Sequence, residues 1–219
     1  MKCLFNFFLI VLFTFPATSF SQVDKVSIIK TSNGFQLTKN GEPYYIKGAG
    51  AKSNFKKVVE SGANSIRIWS TNKSELLDSA YKYNLSVCLG IWVAQERNGF
   101  NYNDEYNVKS QIELIKKEIL RLKDHPSVII WGIGNEVDLQ YSNFKVWETI
   151  EQIAKFIKKV DPNHPTMTVI AGLDPSKVFM IKKYCPSIDI LGINVYGAIE
   201  NAPLNIRRYG WEKPYVITE

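Results

Sequence analysis

The chain has 219 residues, enough for one sizeable core and too few for two large domains. Hydrophobic residues make up 45% and charged residues 22%, the balance of an ordinary globular protein. The formal charge of +6 comes from lysines dispersed along helix-like stretches such as Lys116-Lys117 and Lys158-Lys159. That pattern, with no recognised nucleic-acid motif, reads as solvated helix faces and argues against a nucleic-acid partner.

The first residues form a separate object. Lys2 supplies a short positive segment, residues 4–15 are apolar, and Ser19-Phe20-Ser21 places small residues at the positions a signal peptidase reads. Residues 1–21 are expected to be a signal peptide cleaved after Ser21, and residues 22–219 the mature domain, secreted or periplasmic. The apolar run is short for a membrane span, so no stable membrane anchor is expected. Cys3 precedes that run, which is not where a lipoprotein cysteine sits. Cys88 and Cys185 fall at strand-like positions far apart and read as buried free thiols. There is no metal-ligand cluster, and no cofactor is implied. His125 and His164 each precede a proline and read as structural.

A hairpin is predicted over 34–46, with Asn40-Gly41 at its turn. A rhythm of short apolar strand, polar turn and amphipathic helix follows. Strands are predicted at 44–48, 65–69, 86–93, 128–131, 166–170, 188–195 and 215–218. Helices are predicted at 52–61, 74–84, 105–124, 143–160, 175–184 and, weakly, 201–209. Residues 94–103 read as a long polar loop. Gly62 stops the first helix and Asp161-Pro162 the fourth. Ile112, Ile115, Ile119 and Leu122 recur at helical spacing in the third.

Alternating strands and helices imply parallel pairing with right-handed crossovers. Seven such strands fit an α/β (β/α)8 TIM barrel better than a doubly wound sheet. The Gly-rich phosphate loop expected of the latter is absent after the first strand. The barrel is expected to be incomplete, with about seven of eight strands, and the chain to be a fragment truncated at the seventh.

The stretch 125–138 reads His-Pro-Ser-Val-Ile-Ile-Trp-Gly-Ile-Gly-Asn-Glu-Val-Asp. The buried strand at 128–131 is punctuated by Pro126 before it and by Gly132 and Gly134 after it; Asn135-Glu136 lies just past its carboxyl end, and the carboxyl ends of barrel strands are where chemistry is done. Enclosure there disfavours a charged carboxyl, which suits a general acid. The last residues, 213–219, form a second apolar strand ending on Glu219. Together these motifs resemble the acid/base and nucleophile segments of the clan A glycoside hydrolases. They are closest to the TIM-barrel catalytic domain of family 2, over roughly residues 41–219.

The resemblance implies a retaining glycoside hydrolase that cleaves β-O-glycosidic bonds, with Glu136 as acid/base and Glu219 as nucleophile. It implies a carbohydrate substrate, and with the expected truncation it leaves an alternative: an inactive barrel that only binds carbohydrate. Asn135 would hydrogen-bond the sugar 2-hydroxyl. Arg67, a charge inside a strand that needs a partner, would pair with the nucleophile. Tyr196 would hydrogen-bond the nucleophile, and Asn194 would touch sugar or Tyr196. Trp69 and Trp92 end the second and third strands and are candidate walls for a sugar ring, with core packing as the alternative. Trp131 reads as core. Some clan relatives are transglycosidases acting on β-glucans, a second alternative that uses the same two carboxylates.

Overall fold

The computed structural model describes residues 23–219. The expected signal peptide, with Cys3, lies outside the described residues. The first described elements are three antiparallel strands, β1 (Val26–Thr31), β2 (Gly34–Lys39) and β3 (Glu42–Pro43), in that order. Asn40 and Gly41 turn β2 into β3 at φ of 54° and 88°, the left-handed pair that a tight hairpin requires. β1 is an addition to the predicted elements. Its mixed sequence, Val-Ser-Ile-Ile-Lys-Thr, is exposed over its outer half, so no apolar run announces it.

Seven parallel strands build the main sheet. They are β4 (Gly48–Gly50), β5 (Ser65–Ile68), β6 (Ser86–Ile91), β7 (Val128–Asn135), β8 (Thr166–Ala171), β9 (Ile190–Asn194) and β10 (Tyr215–Ile217). Each pairs with its neighbours in chain order, so β4 and β10 are the edges of the sheet among the described residues. Helices α1 (Phe55–Glu60), α2 (Glu75–Lys82), α3 (Glu105–Leu122), α4 (Lys145–Val160), α5 (Pro175–Tyr184) and α6 (Ala202–Arg208) connect them. This is a TIM-barrel arrangement. The sheet curls far enough for Arg67 of β5 to meet Glu219, just past β10.

The first parallel strand lies later than the predicted 44–48. Tyr44 still belongs to the hairpin, donating its N–H to the Leu37 carbonyl at 2.8 Å. β7 is longer than predicted and runs on through Gly132 and Gly134. α3 and α5 start on the caps their sequences advertise. Asp104 accepts from the Asn107 N–H at 3.0 Å, and Asp174 from the Ser176 N–H at 2.8 Å, with Pro175 in the first turn.

The apolar residues divide into two layers. Leu77, Ile119, Trp147, Ile153 and Ile181 pack the helices onto the outer face of the sheet. Ile130, Met167, Val169 and Ile190 fill the inside of the curl against Ile28, Leu37 and Tyr44. The antiparallel strands therefore close the amino end of the barrel, and the carboxyl ends of β5 to β10 are left to form the site. Cys88 and Cys185 are free thiols in different elements. Burial pushes Cys88 up to about 11 and Cys185 higher still. Among the described residues no helix is long and apolar enough to cross a membrane.

Candidate active site

β7 ends in an irregular turn that aims two polar side chains across the barrel mouth. Gly134 has φ of 72° and Glu136 of 50°, and the pairing with β8 shifts register between Ile133 and Asn135. A Cβ at Gly134 would also lie 3.1 Å from Val137. The Glu136 N–H is tied to the Val169 carbonyl at 2.9 Å. Its Oε1 accepts from Asn194 Nδ2 at 2.8 Å, and Arg97 Nη2 stands 3.8 Å from its Oε2.

Glu219 lies on the same rim with a different set of partners. Arg67 Nη1 donates to its Oε1 at 2.5 Å, and Trp69 Nε1 donates to the same oxygen at 2.8 Å. The Tyr196 hydroxyl donates to Oε2. Burial by itself would raise the carboxyl's pKa. Hydrogen bonds from Tyr196, Trp69 and Arg67, with the charge of Arg67, outweigh it and hold Glu219 below the usual carboxylate range. The same bond raises the Tyr196 hydroxyl above its ordinary value.

A polar lattice joins the two carboxylates. Arg67 Nη2 donates to Asn135 Oδ1 at 2.6 Å, and Asn194 Nδ2 reaches the same oxygen at 3.4 Å. Thr218 Oγ1 donates to Asn194 Oδ1 at 2.7 Å. Asn135 therefore accepts through Oδ1, and among the described residues no group accepts from its Nδ2.

The structure brings Glu136, Glu219, Asn135, Arg67, Asn194, Tyr196 and Trp69 together. Trp69 joins them through the edge of its ring. Its indole N–H is spent on Glu219, and both the Arg67 guanidinium and the Lys52 ammonium sit over its ring, 5.1 and 5.3 Å from a ring centre. Trp92, at the end of β6, is half-exposed on the rim and keeps an open face. Trp131 points to the amino end, where Nε1 donates to Asp161 at 2.7 Å.

Sequence reasoning missed the support from the loop after β6. Gln95, fully buried, donates Nε2 to the Asn135 carbonyl at 2.6 Å and accepts from Arg97 Nε at 3.0 Å. It fixes the backbone of one site residue and aims a cation at the other. A polar loop carries no periodicity that could single it out. From Glu136 a groove of about 640 Å³ runs over the ends of β8 and β9, lined by Asn194, Tyr196, Asn201 and Asn205. Among the described residues no cluster of His, Cys, Asp or Glu could hold a metal ion. The arrangement offers one carboxylate held ionised, a second on the same rim, and a neutral amide between them.

Residues 63–219 match the family model described as glycosyl hydrolases family 2, TIM barrel domain. The chain is 27% identical over 197 residues to a β-galactosidase of Bacteroides ovatus, which covers 74% of this chain and 22% of that protein. It is 25% identical to a β-glucuronidase of Paenibacillus borealis, covering 85% of this chain and 36% of that protein. The chain thus spans well under half of the length of these relatives. Among solved structures, a β-D-glucuronidase of Dictyoglomus thermophilum superposes with a TM-score of 0.69 at 20% identity, over 89% of this chain and 38% of that one. A β-glucuronidase of Bifidobacterium dentium gives 0.67 at 19%, over 89% and 35%. At that identity the likeness speaks for the fold alone.

Proposed function

The chain belongs to the glycosyl hydrolases family 2 by its TIM barrel domain, and on that premise we propose that it is a retaining β-glycosidase. The observation that carries the reading is the contrast between the two rim carboxylates. Three side chains donate to Glu219, and the balance favours its ionised form. A nucleophile needs that form. Glu136 takes one amide hydrogen bond, with Arg97 no nearer than 3.8 Å, and opens onto the groove, where a leaving group would lie.

In the first step Glu219 attacks the anomeric carbon while Glu136 gives its proton to the departing oxygen. The glycosidic bond breaks, an ester bond to Glu219 forms and the alcohol leaves. In the second step Glu136, now a carboxylate, takes a proton from water. The water oxygen attacks the same carbon and releases Glu219. Two inversions leave the β-configuration unchanged. Asn135 Nδ2 faces the sugar 2-hydroxyl, and Trp92 offers a stacking face. The product is expected to be exported after cleavage following Ser21.

The relatives make β-galactosides and β-glucuronides the first substrates to try. A 2-deoxy-2-fluoro glycoside of the cleaved sugar is expected to add one sugar mass to the peptide carrying Glu219. Glu219→Gln and Glu136→Gln are each expected to lower kcat/KM by at least about a hundredfold on an unactivated glycoside. A label on another residue, or full activity in either variant, overturns the assignment.

A further inference from the structure

We propose that Asp138 and Lys177 are positioning residues for Glu136, locking the turn that carries it to the end of β8. The proposal rests on the reading of Glu136 as proton donor. Glu136 sits in a left-handed backbone conformation, which a glutamate adopts only when its surroundings impose it. Its own N–H bond to Val169 fixes one point of the turn. The second point is Asp138, two residues on. Its side chain is fully buried, and both carboxylate oxygens accept from the Ala171 N–H, at 3.1 and 3.2 Å.

Lys177, on the first turn of α5, completes the clamp. Its ammonium lies 2.7 Å from Asp138 Oδ2 and also donates to the Ala171 carbonyl. Both backbone polar groups of Ala171 are therefore held by side chains rather than by a further strand residue. Ala171 is where β8 ends and the groove beside Glu136 begins. Neither Asp138 nor Lys177 lines that groove. Burying an ion pair is costly, and an apolar pair would fill the same space. What the charged pair adds is a fixed distance between the turn after β7 and the end of β8. That distance sets where the Glu136 carboxyl meets the leaving oxygen.

The test separates proton delivery from general integrity. Phenyl and 2,4-dinitrophenyl β-D-galactosides, with the matching β-D-glucuronides, are assayed with the full chain. Dinitrophenolate leaves without a proton, whereas phenolate needs one. Asp138→Asn and Lys177→Met are each expected to lose about tenfold to a hundredfold in kcat/KM on the phenyl glycoside and less than about threefold on the dinitrophenyl one. Lys177→Arg is expected to restore the phenyl rate. Lys177 is partly exposed, so its variant reports even if Asp138→Asn misfolds.

Equal losses on both leaving groups, or none, overturn the proposal. Glu136→Gln is run beside them. If it splits the two substrates and the clamp variants do not, the clamp fails and the acid assignment stands. If Glu136→Gln itself shows no split, both fall.

Discussion

At the scale of single residues, the site is an exercise in keeping one carboxylate charged. Glu219 is partly buried, which works against its ionised form, yet three donors reverse the balance. Tyr196 is the donor that can be removed with least disturbance, since its ring is exposed and packs little. Tyr196→Phe is expected to raise the pKa of Glu219. The sign follows directly: a group depressed by a hydrogen bond rises when the bond is lost. The acid limb of kcat/KM, which reports ionisation of the nucleophile, should therefore move to higher pH, with a loss at neutral pH of at most about a hundredfold. A limb that stays put in a pH-rate profile would show that Tyr196 does not act on Glu219. That the two glutamates, Asn135, Arg67 and Tyr196 meet on one rim was legible because each ends or interrupts an apolar run in a segment that resembles the family's motifs. Gln95, Arg97, Asp138 and Lys177 were not legible. Their roles depend on which loop lies beside which strand end, and no local pattern encodes that.

At the scale of elements, punctuation in the sequence locates the strands well and their ends less well. Gly132 and Gly134 read as breakers after Trp131, but the strand continues through both. Gly132 is tolerated in the ladder, and Gly134 supplies the left-handed step that turns Asn135 and Glu136 inward. β4, Gly-Ala-Gly, has no apolar signature at all. Its placement is dictated by pairing with Ser65 to Arg67. The turn after β7 makes a sharp prediction. Gly134→Ala forces a Cβ into a positive-φ position and against Val137. It is expected to cost about 1–3 kcal/mol in denaturant unfolding. It should cost rate as well, because a displacement of about 1 Å at Glu136 is worth on the order of a hundredfold. A stability loss with kcat/KM unchanged would mean that the turn does not aim the acid.

At the scale of the whole molecule, the barrel separates its polar investments by end. The carboxyl end gathers charge around Glu136 and Glu219, and the amino end holds a buried anchor of its own. There Asp161 accepts from Trp131 Nε1 at 2.7 Å and from His164 Nδ1 at 2.8 Å, all three buried. These bonds tie the outer face of β7 to the loop before β8. Burial would raise the Asp161 pKa, but bonds from His164 and Trp131 outweigh it and leave it depressed. A depressed carboxylate contributes stability that is fully present above its unfolded value of about 3.9 and is lost as pH falls through the folded one. Asp161→Asn keeps the shape but loses an acceptor, so it is expected to cost about 2 kcal/mol at pH 7. In urea titrations, the gap between wild type and variant should be constant at neutral pH and should narrow below about pH 4. The catalytic pH profile should not move, because the anchor and the rim share no hydrogen bond. A gap that widens in acid, or an acid limb that shifts with Asp161, would show that the two ends are coupled through β7 rather than built independently.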